Sequence, residues 1–277
     1  MTVSPLVAAR AQGDDVVRFL HDTSTQDLLG LEPGTGARTC FLDDKGRVQA
    51  EARALLLEDG TVLLVAEEAA RAHLTGWLAR IAPLSGCSIT EEDVVVTAVR
   101  GQDAAGAFAV APLPTAEHNH VVADVMRVVR VEWGGPGFDV LAPRPVALDA
   151  RAADLSELES ERVASGRPRF GVDITPDMLI NETPLLARAV AMDKGCFPGQ
   201  ESVARVHNLG SIRRRFVLVR LEGTPSSLPA SVHVDDAHVG RMTSAADGAG
   251  IAFVRARLEP GQEVKVGGVP GTIERTL

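Results

Sequence analysis

Residues 194–205 read KGCFPGQESVAR. Cys196 is one of only three cysteines in 277 residues, and it stands between a lysine and the acid Glu201, with Arg205 beyond. The glycines and the proline of this stretch allow a sharp turn that exposes backbone amide groups. Positive charge from Lys194 or Arg205 would favour the thiolate form of the cysteine if either group approaches the sulfur. The pattern fits either a reactive or ligand-donating thiol or, because free cysteine is often buried, a small buried hydrophobe.

The composition of the chain limits its class. Hydrophobic residues make up 45% and charged residues 23% of the sequence, so the whole chain can fold, and its length predicts more than one core. The formal net charge of -9 argues against nucleic acid as a direct partner. No apolar run approaches the roughly 18 residues that cross a bilayer, and the first residues lack the pattern of a secretory signal. We therefore expect a cytoplasmic protein with no membrane partner.

The cysteines and histidines show no pattern of metal ligands. Cys40, Cys87 and Cys196 are odd in number and far apart, which argues against a disulfide framework and against a self-contained site with four thiolates. The seven histidines show no metal-ligand spacing either. The sequence therefore predicts no intrinsic metal and leaves a single cysteine free to act alone.

Hydrophobic periodicity predicts a mixed chain of strands and helices. Apolar runs separated by the turn signals DDKG and EDG predict a β-meander over residues 39–42, 48–57 and 61–65. After Arg215, short alternating strands recur at intervals of about ten residues, which predicts a small β-barrel or sandwich. Helical spacing predicts two short tandem helices after Asp14 and single helices over residues 67–81 and 145–166.

The motifs resemble those of one family. KGCFPGQESVAR is similar to the K-G-C-[YF]-x-G-Q-E-x-x-A-R motif of the YgfZ-type folate-binding proteins, relatives of the T-protein aminomethyltransferase of the glycine cleavage system. Residues 13–48 resemble the N-terminal pattern of the family, and VGRMTSAA at 239–246 resembles its barrel turn.

The resemblance implies a fold and a ligand. The fold is α+β, with three domains in a T-protein-like ring around a channel for tetrahydrofolate or a one-carbon derivative, and the last domain is a small antiparallel β-barrel. The domains are assigned to residues 1–47 with 118–190, residues 48–117 with 191–211, and residues 212–277.

The resemblance also implies site residues. Cys196 is the functional thiol, which would ligate a cluster transiently or undergo reversible thiol chemistry. A folate-contacting aspartate of the T-protein matches Glu51, whose longer side chain suits pterin recognition better than transfer chemistry. By residue type alone, Glu51 would be an exposed strand residue. A second acid of the T-protein falls on Ala164, so Glu182 is the candidate replacement. The motif supplies four further cofactor-binding candidates: Lys194, Gln200, Glu201 and Arg205.

Three functions remain open at this point. The first is a tetrahydrofolate-binding accessory protein that supports assembly or repair of iron–sulfur clusters in client enzymes, including tRNA-modifying ones. The second is a folate-dependent aminomethyltransferase or other one-carbon transferase, with Glu51 as the polarising or basic group. The third is a folate store or sensor. The run Arg213 to Arg215 fits either steering of the glutamyl tail of folate or a solvated surface.

Overall fold

The computed structural model describes residues 1–109, 112–210 and 212–277, and of Val3 and Leu209 it describes the backbone alone. The described residues form two five-stranded sheets and a closed barrel. None of their helices is long and apolar enough to cross a bilayer.

The first half of the chain is mostly β-structure. Its strands and α-helices are β1 (Thr2–Ser4), β2 (Leu6–Gln12), α1 (Val16–Thr23), β3 (Gly36–Leu42), β4 (Val48–Leu56), β5 (Val62–Glu67), α2 (Ala79–Ile81), β6 (Ser88–Glu92), β7 (Val95–Arg100), β8 (His120–Ala123), β9 (Met126–Val131) and β10 (Gly137–Ala142). Short 3-10 helices lie at Glu68–Ala70, Ala82–Ser85 and Ala104–Ala107, and a π-helix lies at His73–Leu78.

The second half contains three helices and the barrel. Its elements are α3 (Leu155–Ser165), a 3-10 turn (Ile180–Glu182), α4 (Leu185–Ala189), α5 (Gln200–Leu209), β11 (Arg214–Leu221), β12 (Ala230–Val234), β13 (Ala237–Ala246), β14 (Ala249–Arg255), β15 (Glu263–Val266) and β16 (Val269–Thr276).

The first sheet has the strand order β3-β4-β5-β2-β6. Consecutive antiparallel pairing of β3, β4 and β5 confirms the predicted meander. The predicted second helix after α1 is absent from residues 24–35. Helix α1 ends instead where the hydroxyls of Thr23 and Ser24 donate to the carbonyls of Phe19 and Leu20, at 2.7 Å each.

The second sheet has the order β1-β7-β10-β9-β8. The two sheets divide the chain differently from the predicted first two domains. The predicted boundary between residues 47 and 48 falls inside a hairpin, because β3 and β4 pair at seven positions. The DDKG turn is short enough to keep these strands as neighbours in one sheet. Residues 110 and 111, part of the predicted second domain, lie outside the described residues.

The C-terminal strands form a closed barrel in the order β11-β14-β13-β12-β15-β16, with all neighbours antiparallel. The barrel has its own apolar core, which includes Val217, Val232 and Val254. Phe216 and Phe253 instead pack into the main core with the first sheet. The predicted boundary adjoins residue 211, which lies outside the described residues, and β11 begins at Arg214.

Helix α3 is shorter than the predicted helix over 145–166. It begins at Leu155 because Asp154 is its N-cap residue, with the backbone N–H of Asp154 donating to Glu157 Oε1 at 3.1 Å. Leu155, the first residue of the helix, is 55% exposed although it is apolar. Gly166, at φ 73°, ends the helix in the left-handed conformation that favours glycine.

Candidate functional site

A cavity of about 420 Å³ lies between the two sheets, α3 and the segment that follows α3. Its volume is typical of small-molecule sites. Six arginines and four carboxylates line it, which leaves two positive charges in a chain whose net charge is -9. The cavity is therefore suited to a ligand that carries negative charge. Its charged residues are Arg38, Arg53, Arg100, Arg162, Arg167, Arg169, Glu51, Glu67, Asp139 and Glu159.

Strand β4 brings Glu51 to the cavity. Its side chain is buried, with 3% of the residue exposed, so Glu51 is not the exposed strand residue that its type suggests. Oε1 accepts a hydrogen bond from Arg38 on β3, whereas Oε2 is buried without any hydrogen-bond partner. A buried acceptor without a partner costs on the order of 1–3 kcal/mol. A ligand N–H in the cavity would satisfy it.

Arg38 also contacts the ring of Trp133. The guanidinium of Arg38 lies 4.9 Å from the centroid of the Trp133 ring, and that of Arg188 lies 4.6 Å from the same ring. Glu117 Oε1 accepts the backbone N–H of Trp133 at 3.1 Å. The indole is thus in direct contact with the ion pair that lines the cavity, which makes Trp133 a built-in fluorescent reporter of that wall.

Asp139 on β10 ties the two sheets together at the cavity. Its buried carboxylate lies 2.7 Å from Arg53 Nη2 on β4 and 2.6 Å from Arg100 Nη2 on β7. Burial alone would raise the pKa of Asp139, but the attraction of Arg100 and Arg53 and their hydrogen bonds hold it well below its usual range. Asp139 is therefore a permanent anion between two cations.

A second group of charges lines the same cavity. Glu67 pairs with Arg167 at 3.0 Å, and burial raises the pKa of Glu67. Glu159 on α3 pairs with Arg162 at 2.7 Å and with Arg169 at 3.4 Å. The Nε atoms of Arg167 and Arg169 are buried without partners. Both arginines line the cavity and keep part of their side chains exposed, so their guanidinium groups can meet an anionic ligand.

Cys196 lies apart from this cavity, in the loop between α4 and α5, and it is exposed. The alternative of a small buried hydrophobe is therefore wrong. Cys40 and Cys87 are buried, and burial raises the pKa of both thiols. Of the three cysteines, all within the described part of the chain, Cys196 is the one that a partner can reach.

The end of the Cys196 loop packs against the turn between β3 and β4, the strands that carry Arg38 and Glu51. Gly199 is the N-cap residue of α5 and has φ 81°, and a Cβ there would lie 2.4 Å from the carbonyl oxygen of Asp43 and 3.1 Å from the backbone of Gly46. The glycine thus permits both the left-handed backbone and a close approach to the β3–β4 hairpin. This contact explains the second glycine of the motif without reference to a ligand.

Lys194 anchors the same loop to the end of α1. Its ammonium donates to the carbonyl oxygen of His21, to that of Ser24 at 2.7 Å and to that of Gln26 at 3.1 Å. Burial lowers its pKa to about 8. Because all three N–H donors go to carbonyl groups, Lys194 fixes the loop and is not a hydrogen-bond partner of the Cys196 thiol.

The other predicted cofactor-binding residues do not line the cavity. Arg205 pairs with Glu201 at 2.6 Å on the surface of α5, with 67% and 87% of their side chains exposed. Gln200 Nε2 donates to the carbonyl of Lys194 at 3.5 Å. Glu182 is buried, and its Oε1 accepts the backbone N–H of Arg214 at 3.1 Å. Glu182 thus lies at the start of the barrel, and of the predicted binding residues the structure brings only Glu51 to the cavity.

Helix α3 offers a different acid from the one expected. Ala164 is exposed and does not line the cavity, whereas Glu159, five residues earlier, does. The correspondence that made Ala164 a missing ligand therefore does not describe the cavity wall. Three cavity residues that were not predicted, Arg38, Arg53 and Asp139, share one signal in the sequence, a charged side chain inside an apolar strand, as in GARTCFL, EARALLL and GFDVLA.

The arginine run Arg213 to Arg215, at the start of β11, also lies away from the cavity lining. Arg214 stacks on the ring of Phe253, 4.7 Å from its centroid, and Arg215 pairs with Glu259 at 2.9 Å. No group of three or more His, Cys, Asp or Glu side chains within the described ranges is arranged to hold a metal ion.

Replacing Lys194 with methionine is expected to destabilise the protein by about 2–3 kcal/mol, because the carbonyls at the end of α1 lose a charged donor. Urea unfolding measures the loss, and Lys45→Met, at an exposed position of the β3–β4 turn, is the matched control. An unchanged free energy of unfolding, together with a raised pKa of the Cys196 thiol in alkylation rates, would show that Lys194 acts on the sulfur instead.

Comparison with known proteins shows what the chain is similar to. The model of the CAF17 C-terminal beta-barrel domain matches residues 213–276. A putative chloroplastic transferase of Arabidopsis thaliana is 24% identical over 85% of this chain, which spans 59% of that protein's length. The tRNA-modifying protein YgfZ of Edwardsiella ictaluri is 26% identical, over 83% of this chain and 72% of its own. The mitochondrial iron-sulfur cluster assembly factor IBA57 of Mus musculus is 34% identical, over 38% of this chain and 28% of its own.

The fold has a solved counterpart. The glycine cleavage system aminomethyltransferase T from Bartonella henselae matches with a TM-score of 0.83 at 20% identity, over 98% of this chain and 83% of its own. The predicted fold class is confirmed, since the chain has the aminomethyltransferase fold with a closed six-stranded antiparallel barrel at its C-terminus. Within that fold, its barrel matches the CAF17 C-terminal domain, and the relatives it resembles include YgfZ, IBA57 and aminomethyltransferases.

Proposed function

We propose that the protein is a tetrahydrofolate-binding accessory protein that supports assembly or repair of iron–sulfur clusters in client enzymes, including tRNA-modifying ones. The observation that carries this proposal is the exposure of Cys196 in a loop separate from the arginine-lined cavity. The names of the YgfZ and IBA57 relatives support the same role. Its partners are client or assembly proteins in the cytoplasm, with no direct contact to nucleic acid or to a membrane.

The cavity residues fit a reduced folate. Glu51 Oε2 is a buried acceptor without a partner, suited to the N–H groups of a pterin ring. The unpartnered Nε groups of Arg167 and Arg169 are suited to a carboxylate. When bound, the folate supplies a carrier for one-carbon groups. The chain's own residues would bind and orient it through Glu51 and the arginines.

In this proposal, the Cys196 thiol is a transient ligand of the cluster. An exposed cysteine can approach a partner's thiolates and complete the ligand set of a cluster in transit, whereas the buried Cys40 and Cys87 cannot. The Lys194 anchor and the Gly199 contact hold this thiol at a fixed place on the surface. The cluster is cargo in this proposal.

A folate-dependent one-carbon transferase is the second candidate. The observation that favours it is Glu51 itself, a carboxylate in the cavity with one oxygen free to hold or accept a proton. The printed name of the Arabidopsis relative, a putative transferase, supports it as well.

Replacing Glu51 with glutamine tests the folate site. We expect the Kd for tetrahydrofolate to rise by about 10- to 100-fold, because the ring loses a charged acceptor. Trp133 fluorescence measures binding, with Trp77→Phe as the background so that one indole reports. Glu182→Gln is the matched control, since this buried carboxylate lies outside the cavity lining. Weaker binding in Glu182→Gln and unchanged binding in Glu51→Gln would contradict the assignment.

Turnover separates the two candidates. The accessory protein is expected to form no methylene-tetrahydrofolate from tetrahydrofolate and an aminomethyl-lipoyl carrier. Turnover that Glu51→Gln abolishes and Cys196→Ser leaves intact would establish the transferase in its place.

A further inference from the structure

Asp173 is a buried carboxylate with a full set of donors. It lies after α3 and has none of its surface exposed. Its Oδ1 accepts from Thr243 Oγ1 at 2.5 Å and from Ser244 Oγ at 2.7 Å, and its Oδ2 accepts from Arg162 Nη1 at 2.9 Å and from the backbone N–H of Arg169 at 2.8 Å. The two hydroxyls belong to β13, so this carboxylate joins the barrel to the segment that lines the cavity.

A β-bulge makes the two hydroxyls converge. The pairing of β13 with β14 shifts between Met242 and Ser244, which leaves Thr243 as the extra residue. In a regular strand, successive side chains point to opposite faces, and a bulge re-aims them. Thr243 and Ser244 can therefore reach the same oxygen of Asp173.

Arg162 connects this carboxylate to the cavity wall. Its guanidinium donates from Nε and Nη2 to Glu159, from Nη1 to Asp173 and to the carbonyl of Arg167, and from Nη2 to Ser244 Oγ at 2.6 Å. Five N–H groups are all that a guanidinium has, so Arg162 keeps none for a ligand. Arg162 instead binds Glu159 and the backbone of Arg167, and both of these residues line the cavity.

The side chains of Arg167 and Arg169 lie next to this network, in which Asp173 and Arg162 bind only their backbones. Asp173 holds the backbone of Arg169, and Arg162 holds that of Arg167. The Nε atoms of both arginines are buried in the wall without partners. Among the described residues that line the cavity, none belongs to the barrel.

We propose that Asp173 and Ser244 are positioning residues that place Arg167 and Arg169 to bind a carboxylate of the ligand, so that the barrel shapes the ligand site without touching it. This inference rests on the proposed function, in which the ligand is a reduced folate with a carboxylate tail. It adds to that function the residues that set the preference for an anionic ligand.

Ser244→Ala tests the proposal. The change removes the hydroxyl that bridges Asp173 and Arg162, while Asp173→Asn would take one of its two carboxylate partners from the buried Arg162 and threaten the fold. We expect the Kd for tetrahydrofolate to rise about five- to tenfold. The Kd for 6-methyltetrahydropterin, which has the ring and no carboxylate, is expected to stay the same. Ser231→Ala, at an exposed barrel serine, is the control and is expected to bind both as the wild type does.

The outcomes are distinct. Equal weakening of both ligands in Ser244→Ala would mean a general loss of structure and would overturn the positioning role, as would unchanged binding of both. A wild-type protein that binds no tetrahydrofolate would overturn the proposed function and this inference with it.

Discussion

Cys196→Ser is expected to abolish the rescue of iron–sulfur enzyme activity in a strain that lacks the protein, while tetrahydrofolate binding is unchanged. Serine keeps the size of the side chain, but a hydroxyl does not supply the thiolate that ligates iron or exchanges with other thiols. Folate binding is preserved because Cys196 does not line the cavity. The measurement is the activity of a cluster-dependent enzyme in extracts of the complemented strain.

The control for this experiment is a buried cysteine. Cys87→Ala removes a thiol that is 4% exposed and is expected to rescue as the wild type does. Full rescue by Cys196→Ser, or an equal loss of rescue by Cys87→Ala at equal protein abundance, would contradict the role given to the exposed thiol.

Asp139→Asn is expected to lower the free energy of unfolding by about 3–5 kcal/mol, because it leaves two buried guanidiniums without their anion. Asparagine has nearly the same volume, so the loss reports charge and not packing. Arg53 and Arg100 come from different sheets, and without the carboxylate their repulsion would act between the two sheets. Urea denaturation measures the change.

A surface aspartate provides the comparison. Asp59 pairs with Arg10 at 3.4 Å, and 62% of its side chain is exposed. Asp59→Asn is expected to change stability by at most about 1 kcal/mol. Equal effects of the two substitutions would show that the Asp139 cluster has no special part in joining the sheets.

Local patterns predicted the elements whose partners are close in the chain. The turn signals DDKG and EDG placed the meander, and the alternation after Arg215 placed the barrel, because hairpin neighbours need only a tight turn and a buried face. The absence of a second helix after α1 could not be predicted from periodicity. It depends on how α1 ends, where the hydroxyls of Thr23 and Ser24 donate to the carbonyls of Phe19 and Leu20.

The site depended on contacts that are distant in the chain. The spacing around Cys196 suggested that Lys194 faces the sulfur, but its ammonium binds carbonyls about 170 residues away. Arg53 and Asp139 pair across two sheets, and only the tertiary fold brings them together. The motif therefore identified the exposed thiol by resemblance, whereas of the buried cavity charges the sequence singled out Glu51 alone.

A crystal structure of the protein with tetrahydrofolate tests the central claim most directly. We expect ligand density in the arginine-lined cavity, with a pterin N–H bonded to Glu51 Oε2 and the carboxylate tail near Arg167 and Arg169. Density at another place, or a cavity that stays empty at saturating ligand with Glu51 Oε2 still without a partner, would contradict it.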